Sequence, residues 1–311
     1  MTGDPVAGHG RVGLASLAPV ADSRRERDVW AEWLAEHRHG GDSEVRREIL
    51  EKLGGVRDKV LDRAGFVAGE SLLDVGCGEG LIGFGALDRG AGHVVFSDIS
   101  QDLLDVCGET ADALGVSDRC SFVKAPAHEL ADLADASVDV VTTRSVLIYV
   151  AEKGRAFREF FRVLRTGGKV SLFEPINRFG MNERRQGFWG YPSNGLHDLA
   201  ERVEGVYEAI QPPSDPMLDF DERDLVRFAE EAGFFPIDLE LHAEVRWTDP
   251  KPWPTFLNSS GNPKIPTIAQ AMGQTLTPEE REEFAEHLRS LVEEGRGVWR
   301  MATAYFKAVK P

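Results

Sequence analysis

Cysteine is scarce in this chain: three in 311 residues. Cys77, Cys107 and Cys120 form no CxxC pair and no ligand cluster, so a disulfide framework is excluded. An odd, sparse count fits free thiols in a reducing compartment. Basic residues are also short, with 36 Lys and Arg against 52 Asp and Glu, for a net charge of −16. A sequence this acidic is poorly suited to holding a phosphate backbone or a polybasic membrane contact, so neither nucleic acid nor membrane is expected as a partner. No apolar run reaches the roughly 18 residues that a membrane span needs. The N-terminus lacks a basic stretch followed by an apolar one, the mark of a secretory signal. A soluble, cytoplasmic protein is the expectation. HxxE and HExxH pairings are missing as well, and no metal site is expected.

What is present is an alternation. Residues 1–20 are rich in Gly, Ala and Pro without periodicity and read as a mobile tail. Residues 21–66 read as a helical cap. Val29, Trp30, Trp33 and Leu34 recur at helical spacing up to His39-Gly40-Gly41. Second and third helices are predicted over Asp42–Leu53 and Val56–Ala64, the second capped by Asp42 or Ser43. Between 67 and 175 strands are predicted at 71–75, 93–97, 121–124, 138–142 and 169–173. Helices over 81–88, 101–114 and 153–164 separate most of them. Short glycine-bearing connections join strand to helix, the signature of βαβ units and a mostly parallel sheet covered on both faces.

The rhythm breaks over 176–219, an insertion of mixed Gly, Pro, Trp and Tyr. It resumes at 220–247 with a helix closed by Gly233 and a long strand from Ile237 to Trp247. A Pro-rich second insertion covers 248–296 and ends in a helix with Thr277 as N-cap, Pro278 at its first position and Glu280 completing a capping box. The last strand occupies 297–311. The architecture predicted is therefore α/β: seven strands, mostly parallel, Rossmann-like, with helices on both faces, a helical cap and two lid insertions.

The chemistry concentrates in Ser71–Gly80, SLLDVGCGEG, a strand that runs into a glycine turn and then a helix. A nucleoside must approach backbone where a strand ends, and Cβ atoms would block it. Gly76, Gly78 and Gly80 remove those atoms, with Cys77 between them. Asp74 is an unexpected charge in an apolar strand, and it could meet the cationic part of a ligand, directly or through water. The competing pattern is the dinucleotide fingerprint GxGxxG, but the third glycine falls one position early and Leu81 stands where Gly or Ala is wanted. A diphosphate would also be repelled by Asp74, whereas a cofactor carrying a sulfonium and an ammonium would not. Asp98 ends the second strand 20 residues after Gly78, where an acidic side chain can accept hydrogen bonds from both ribose hydroxyls.

These segments, LLDVGCGEG, VVFSDIS, ASVDVVTTRSVLIYV and FREFFRVLRTGGKVSLFEP, resemble the successive core motifs of class I S-adenosylmethionine-dependent methyltransferases. The resemblance spans about Gly54 to Pro175 and resumes over 220–247. The final strand is similar to the antiparallel edge that this family adds to its sheet. The resemblance implies S-adenosylmethionine as cofactor, with Asp74, Gly76, Cys77, Gly78 and Gly80 at its methionine and ribose end. It implies Asp98 on the ribose, Ile99 against adenine, and Arg144 and Ser145 beside the transferable methyl. Pro126 stands where many relatives have an Asp that reads the adenine amino group, so the Ala127 backbone, His128 or Glu129 would take that contact.

Methyl transfer needs a nucleophile held about 3 Å from the methyl carbon with water excluded. Tyr149, His197 and Glu174 are the candidate catalytic groups. Trp30, Trp33, Tyr149, Trp189 and His242 are the candidates for acceptor binding. His242 sits on a strand and His197 in an insertion, where structural roles compete with functional ones. His37, Arg38 and His39 add local positive charge near the cap, either for an acidic ligand group or only as a cationic helix end. No NPPY-type loop of nucleic-acid enzymes is present. A small-molecule acceptor, such as a natural-product scaffold, suits the aromatic insertions. Three alternatives share the glycine turn: a cofactor-assisted reaction other than methylation, an NAD(P)-dependent oxidoreductase, and a nucleoside-binding module without catalysis. Neither the acceptor atom nor the oligomeric state is set by these features.

Overall fold

The computed structural model describes residues 27–181 and 187–311. The predicted tail, the start of the cap and five residues of the first insertion lie outside them. Seven strands form one sheet: β1 (Ser71–Val75), β2 (His93–Asp98), β3 (Cys120–Lys124), β4 (Val138–Arg144), β5 (Leu164–Pro175), β6 (Ile237–Trp247) and β7 (Val298–Val309). Their order is β3-β2-β1-β4-β5-β7-β6. The first five strands pair in parallel, and β7 runs antiparallel to both β5 and β6. β1 is central in the parallel part and is apolar throughout except for its first residue and Asp74, as a strand covered on both faces must be.

The final strand is antiparallel, as expected, but it is not the edge. β7 is inserted between β5 and β6, and its run Ala302-Thr303-Ala304-Tyr305-Phe306 is buried. β6 takes the edge. It is exposed along most of its length, including Leu241, His242 and Val245.

The helices are α1 (Val29–Glu32), α2 (Ser43–Ala64), α3 (Leu81–Asp88), α4 (Gln101–Leu114), α5 (Lys153–Val163), α6 (Arg178–Met181), α7 (His197–Ile210), α8 (Glu222–Ala232), α9 (Trp253–Asn258), α10 (Ile268–Thr275) and α11 (Pro278–Glu293). One face of the sheet packs on α2, α3 and α4 through Val60, Leu61, Ile82, Phe84, Phe96 and Cys107. The other packs on α5 and α8 through Phe157, Phe160, Leu225 and Phe306.

Two helical boundaries differ from the periodic reading. The predicted helices at 42–53 and 56–64 are one, α2. Gly54 and Gly55 lie inside it with no neighbouring atom within 4 Å of where a Cβ would stand. Tertiary anchoring of its second half by Val60, Leu61 and Ala64 overrides the local cost of two glycines. The first cap segment is short: α1 passes into a π turn over Trp33–His37, closed by the Arg38 N–H on the Trp33 carbonyl at 2.8 Å. The capping box Thr277/Glu280 and the closing Gly233 stand where the sequence indicates.

The described residues of the insertions carry four helices that periodicity does not reveal, the single-turn α6 and the longer α7, α9 and α10. Of these, α7, α9 and α10 form with α11 a third core of their own, around Phe188, Tyr191, Val203, Tyr207, Trp253, Phe256 and Phe284. Most of the insertion aromatics are therefore packed against one another.

Candidate active site

A cavity of about 760 Å3 opens at the carboxyl ends of β1, β2 and β4, between the sheet and the cap. The turn after β1 forms its floor. Gly76 and Gly78 both have positive φ, at 63° and 55°. A Cβ on Gly76 would collide with Val146, whereas Gly78 has nothing within 4 Å and faces the open cavity. Gly78 is thus free of a side chain on the side from which a ligand would approach. Gly80 has a different duty. It caps α3 at φ 80°, and a Cβ there would meet Phe84 and Cys107, so this glycine serves packing and does not line the cavity.

Asp98 ends β2 at the cavity wall. Its carboxylate accepts the Gly78 N–H at 2.9 Å and the Ser100 N–H at 3.0 Å, which fixes the turn and leaves lone pairs toward the cavity. Burial pushes its carboxyl above the usual range, against those two hydrogen bonds. Ile99 beside it is a large apolar side chain left 43% exposed, and it lines the cavity. Across from it lie Ala125, Pro126, Ala127 and His128, where the buried His128 Nδ1 has no hydrogen-bond partner among the described residues. An open backbone cradle, a carboxylate, an apolar shelf and an orphaned buried ring nitrogen together fit a nucleoside.

Asp74, Cys77 and Glu174 do not reach this space. Asp74 is 2% exposed; it accepts the Gly83 N–H at 3.0 Å and the Thr142 hydroxyl at 3.1 Å, tying β1 to α3 and β4. Burial raises its carboxyl to about 7. The expected direct contact with a ligand cation is corrected to a buried charge behind the turn. Cys77 is buried in the core on the α2–α4 side of the sheet. Glu174 is fully buried; its Oε1 accepts the Thr143 hydroxyl and the Val146 N–H, both at 3.0 Å, and burial raises it to about 7. It holds the exit of β4 from below, so it positions the site and does not touch an acceptor.

The cavity's other end is aromatic and basic. Trp30, Trp33 and Tyr149 meet edge to face, with centroids 5.0–6.5 Å apart. Local structure explains how α1 reaches this position. Asp28 caps it through the Trp30 and Ala31 N–H groups, and its other oxygen accepts the Ser100 hydroxyl at 2.6 Å, beside Asp98. The Trp33 indole N–H bonds the Ser260 carbonyl at 3.1 Å, joining the cap to the second insertion. Gly40 lies so close to the Thr255 backbone that no side chain fits. Arg144 ends β4 and lines the cavity, as do Arg38, His39, Arg46 and Lys264. Burial and the surrounding cations, led by Arg38, drive His39 down to about 4, so its imidazole is neutral at neutral pH. Burial pushes the Tyr149 phenol up, which keeps its proton on.

Three expected residues lie elsewhere. His197 is exposed at the start of α7 and bonds Ser193 at 2.6 Å. Trp189 packs on Phe188 and Tyr207 in the insertion core. His242 stands on the exposed edge strand with Glu244 3.9 Å away. Among the described residues of the first insertion none lines the cavity, because their apolar faces are used by the third core. Of the three basic residues that the sequence offers for an acidic ligand group or as a cationic helix end, Arg38 and His39 line the cavity; Arg46 and Lys264 join them without any local sequence signal, through contacts between distant segments. Glu32, Glu36 and His37 also bring ligand atoms within 4.8 Å of one another, but on the surface of α1 and the π turn. No helix of the described residues is long and apolar enough to cross a membrane.

Residues 73–172 match the family described as methyltransferase domain. A tRNA 5-carboxymethoxyuridine methyltransferase of Escherichia coli K12 is 34% identical over 133 residues, 42% of this chain and 51% of that protein. A ubiquinone/menaquinone biosynthesis C-methyltransferase of Vibrio parahaemolyticus is 34% identical over 177 residues, 56% of this chain and 68% of that protein. The chain thus spans about half the length of the tRNA enzyme and two thirds of the quinone enzyme. A solved geranyl diphosphate methyltransferase in complex with S-adenosylmethionine superposes with a TM-score of 0.50 at 18% identity, covering 90% of this chain and 94% of that one, a likeness of fold.

Proposed function

The chain belongs to the class I S-adenosylmethionine-dependent methyltransferases, and from that membership we propose that it moves a methyl group from this cofactor to an oxygen, nitrogen or carbon nucleophile of a small molecule. The observation that carries the proposal is one continuous cavity lined both by Gly76, Gly78, Asp98 and Ile99 and by Trp30, Trp33 and Tyr149, with Arg144 and Ser145 on its wall. When bound, the cofactor supplies an electrophilic methyl on a sulfonium, which a nucleophile takes in line as the carbon–sulfur bond breaks to leave a thioether.

The residues divide the work. Asp98 accepts hydrogen bonds from the ribose hydroxyls while holding the turn. Gly78 lets the ligand lie against the backbone. Ile99 packs against adenine, and His128 with the Ala127 backbone reads its edge in place of the Asp that Pro126 replaces. Trp30, Trp33 and Tyr149 hold the acceptor and exclude water. Tyr149 keeps its proton and acts as a hydrogen-bond donor. The cap and residues 248–296 act as the lid, and 67–175 with 220–247 as the cofactor core. A small acceptor is favoured over a tRNA, since a net charge of −16 is unsuited to a phosphate backbone. The free thiols Cys77, Cys107 and Cys120 support a reducing, cytoplasmic compartment.

Equilibrium binding tests the reading. S-adenosylhomocysteine is expected to bind at roughly micromolar levels and NAD far more weakly. Failure of the former to bind sinks the proposal. Asp98→Ala should weaken it at least about tenfold, the loss of one or two hydrogen bonds to a charged acceptor. Asp98→Asn, which keeps an acceptor for the turn, should fall between. An unchanged affinity in both removes Asp98 from the site.

A further inference from the structure

In a chain of net charge −16, the cavity gathers Arg38, His39, Arg46, Arg57, Arg144 and Lys264. Two of these are already occupied: Arg46 pairs with Glu79, and Arg57 with Asp58. The guanidinium groups of Arg38 and Arg144 have no hydrogen-bond or ion-pair partner among the described residues. Arg38 lies 5.2 Å from the centre of the Trp33 ring, on the aromatic wall. Arg144 ends β4, next to Ser145, and lines the same cavity. The two carboxylates buried near Arg144 favour its charge without forming an ion pair with it: Asp74 is bonded to Gly83 and Thr142, and Glu174 through Oε1 to Thr143 and Val146, its Oε2 having no hydrogen-bond partner among the described residues.

Each guanidinium also loses proton affinity in the folded chain, Arg144 to about 10, chiefly through burial and then through the charge of Arg38. Two cations held near each other out of water repel, and an anion placed between them would relieve both costs. Arginine's planar fork suits the paired oxygens of a carboxylate or phosphate.

We propose that the acceptor carries an anionic group, a carboxylate or phosphate, on a flat apolar body, with Arg38 and Arg144 holding the anion while Trp30, Trp33 and Tyr149 hold the body. This rests on the reading of the cavity as a methyl-transfer site, and it sets acceptor selectivity. The nucleophile is then fixed in orientation by an ionic anchor at one end and an aromatic slot at the other.

The test uses the full chain saturated with S-adenosylhomocysteine and a matched probe series: 2-naphthoate, 2-naphthyl phosphate and 2-naphthamide, titrated calorimetrically. One or both anions should bind at least about tenfold more tightly than the neutral amide, as two charge-assisted contacts require. Which anion wins distinguishes the carboxylate from the phosphate. Arg38→Gln and Arg144→Gln should each erase most of that ratio, and Arg38→Lys should keep part of it. Arg38→Gln should leave the affinity for S-adenosylhomocysteine within about twofold, and the ligand-free variant should melt no lower than the parent because a repulsion has gone. Equal binding of anions and amide overturns the proposal. So does an unchanged ratio in Arg38→Gln, or a loss of S-adenosylhomocysteine affinity as large as the loss of anion affinity, which would assign the arginine to the cofactor's own carboxylate. If the parent protein fails to bind S-adenosylhomocysteine, the methyl-transfer reading itself falls, before the probes are added.

Discussion

Glu174 shows how a carboxyl at a strand end can serve a site without entering it. Its Oε1 takes the Thr143 hydroxyl and the Val146 N–H, and so shapes the chain where Arg144, Ser145 and Tyr149 leave the sheet. Burial raises its carboxyl from 4.5 to about 7. The folded form therefore holds its proton more tightly than the unfolded chain does. The resulting stability is present in full below the ordinary carboxyl range and is lost as pH rises through about 7. Glu174→Gln cannot ionise and keeps one acceptor for both donors. Relative to the parent, it should gain on the order of 1–3 kcal/mol between about pH 5 and pH 8, read from denaturant melts at both pH values. Parallel pH profiles for the two proteins would refute this account. Asp98 and Gly78 were legible from spacing alone, because a glycine turn and an acidic strand end are local features. That Asp74 and Glu174 turn inward was not legible: strand alternation says which residues share a face, and both faces of this sheet are covered.

At the scale of elements, continuity was the hardest property to read. Gly54 and Gly55 look like a break, yet α2 runs through them, because its far half is anchored in the core by Val60, Leu61 and Ala64. Gly55 is exposed, with open space where a Cβ would stand. Gly55→Ala should therefore stabilise the protein by about 0.5–1 kcal/mol, by lowering the entropy of the unfolded chain and favouring helix. A destabilised variant in a thermal melt would show that the helix does break there. The π turn at Trp33–His37 could not be anticipated from periodicity either. Its extra residue per turn carries Arg38 and His39 toward the cavity, and such turns recur at functional sites. The interior position of β7 was hidden for a related reason. An alternating strand signals one covered face and does not name its neighbours.

At the scale of the whole molecule, the insertions matter through a core of their own. Phe284 is fully buried there, with its ring 5.2 Å from that of Phe188. Phe284→Ala should cost roughly 3–5 kcal/mol, the range for a large aromatic removed from a packed core. Since none of that cluster lines the cavity, affinity for S-adenosylhomocysteine in the folded variant should change little. Melting curves together with a titration below the melting range would check both halves. A tenfold loss of affinity with little loss of stability would instead join the insertion core to the site. The sequence by itself determined the alternation of strand and helix, the glycine turn, the acid at the end of β2 and hence the end of the cavity proposed for the cofactor. Each of these is written within a few dozen consecutive residues as periodicity, spacing and turn chemistry. Only the tertiary structure assembled the end proposed for the acceptor. It set Trp30, Arg38, Arg144, Tyr149 and Lys264 around one space and left His197, Trp189 and His242 outside it. The lining residues come from three stretches of chain more than a hundred positions apart, and packing between distant elements, which no local pattern encodes, brings them together.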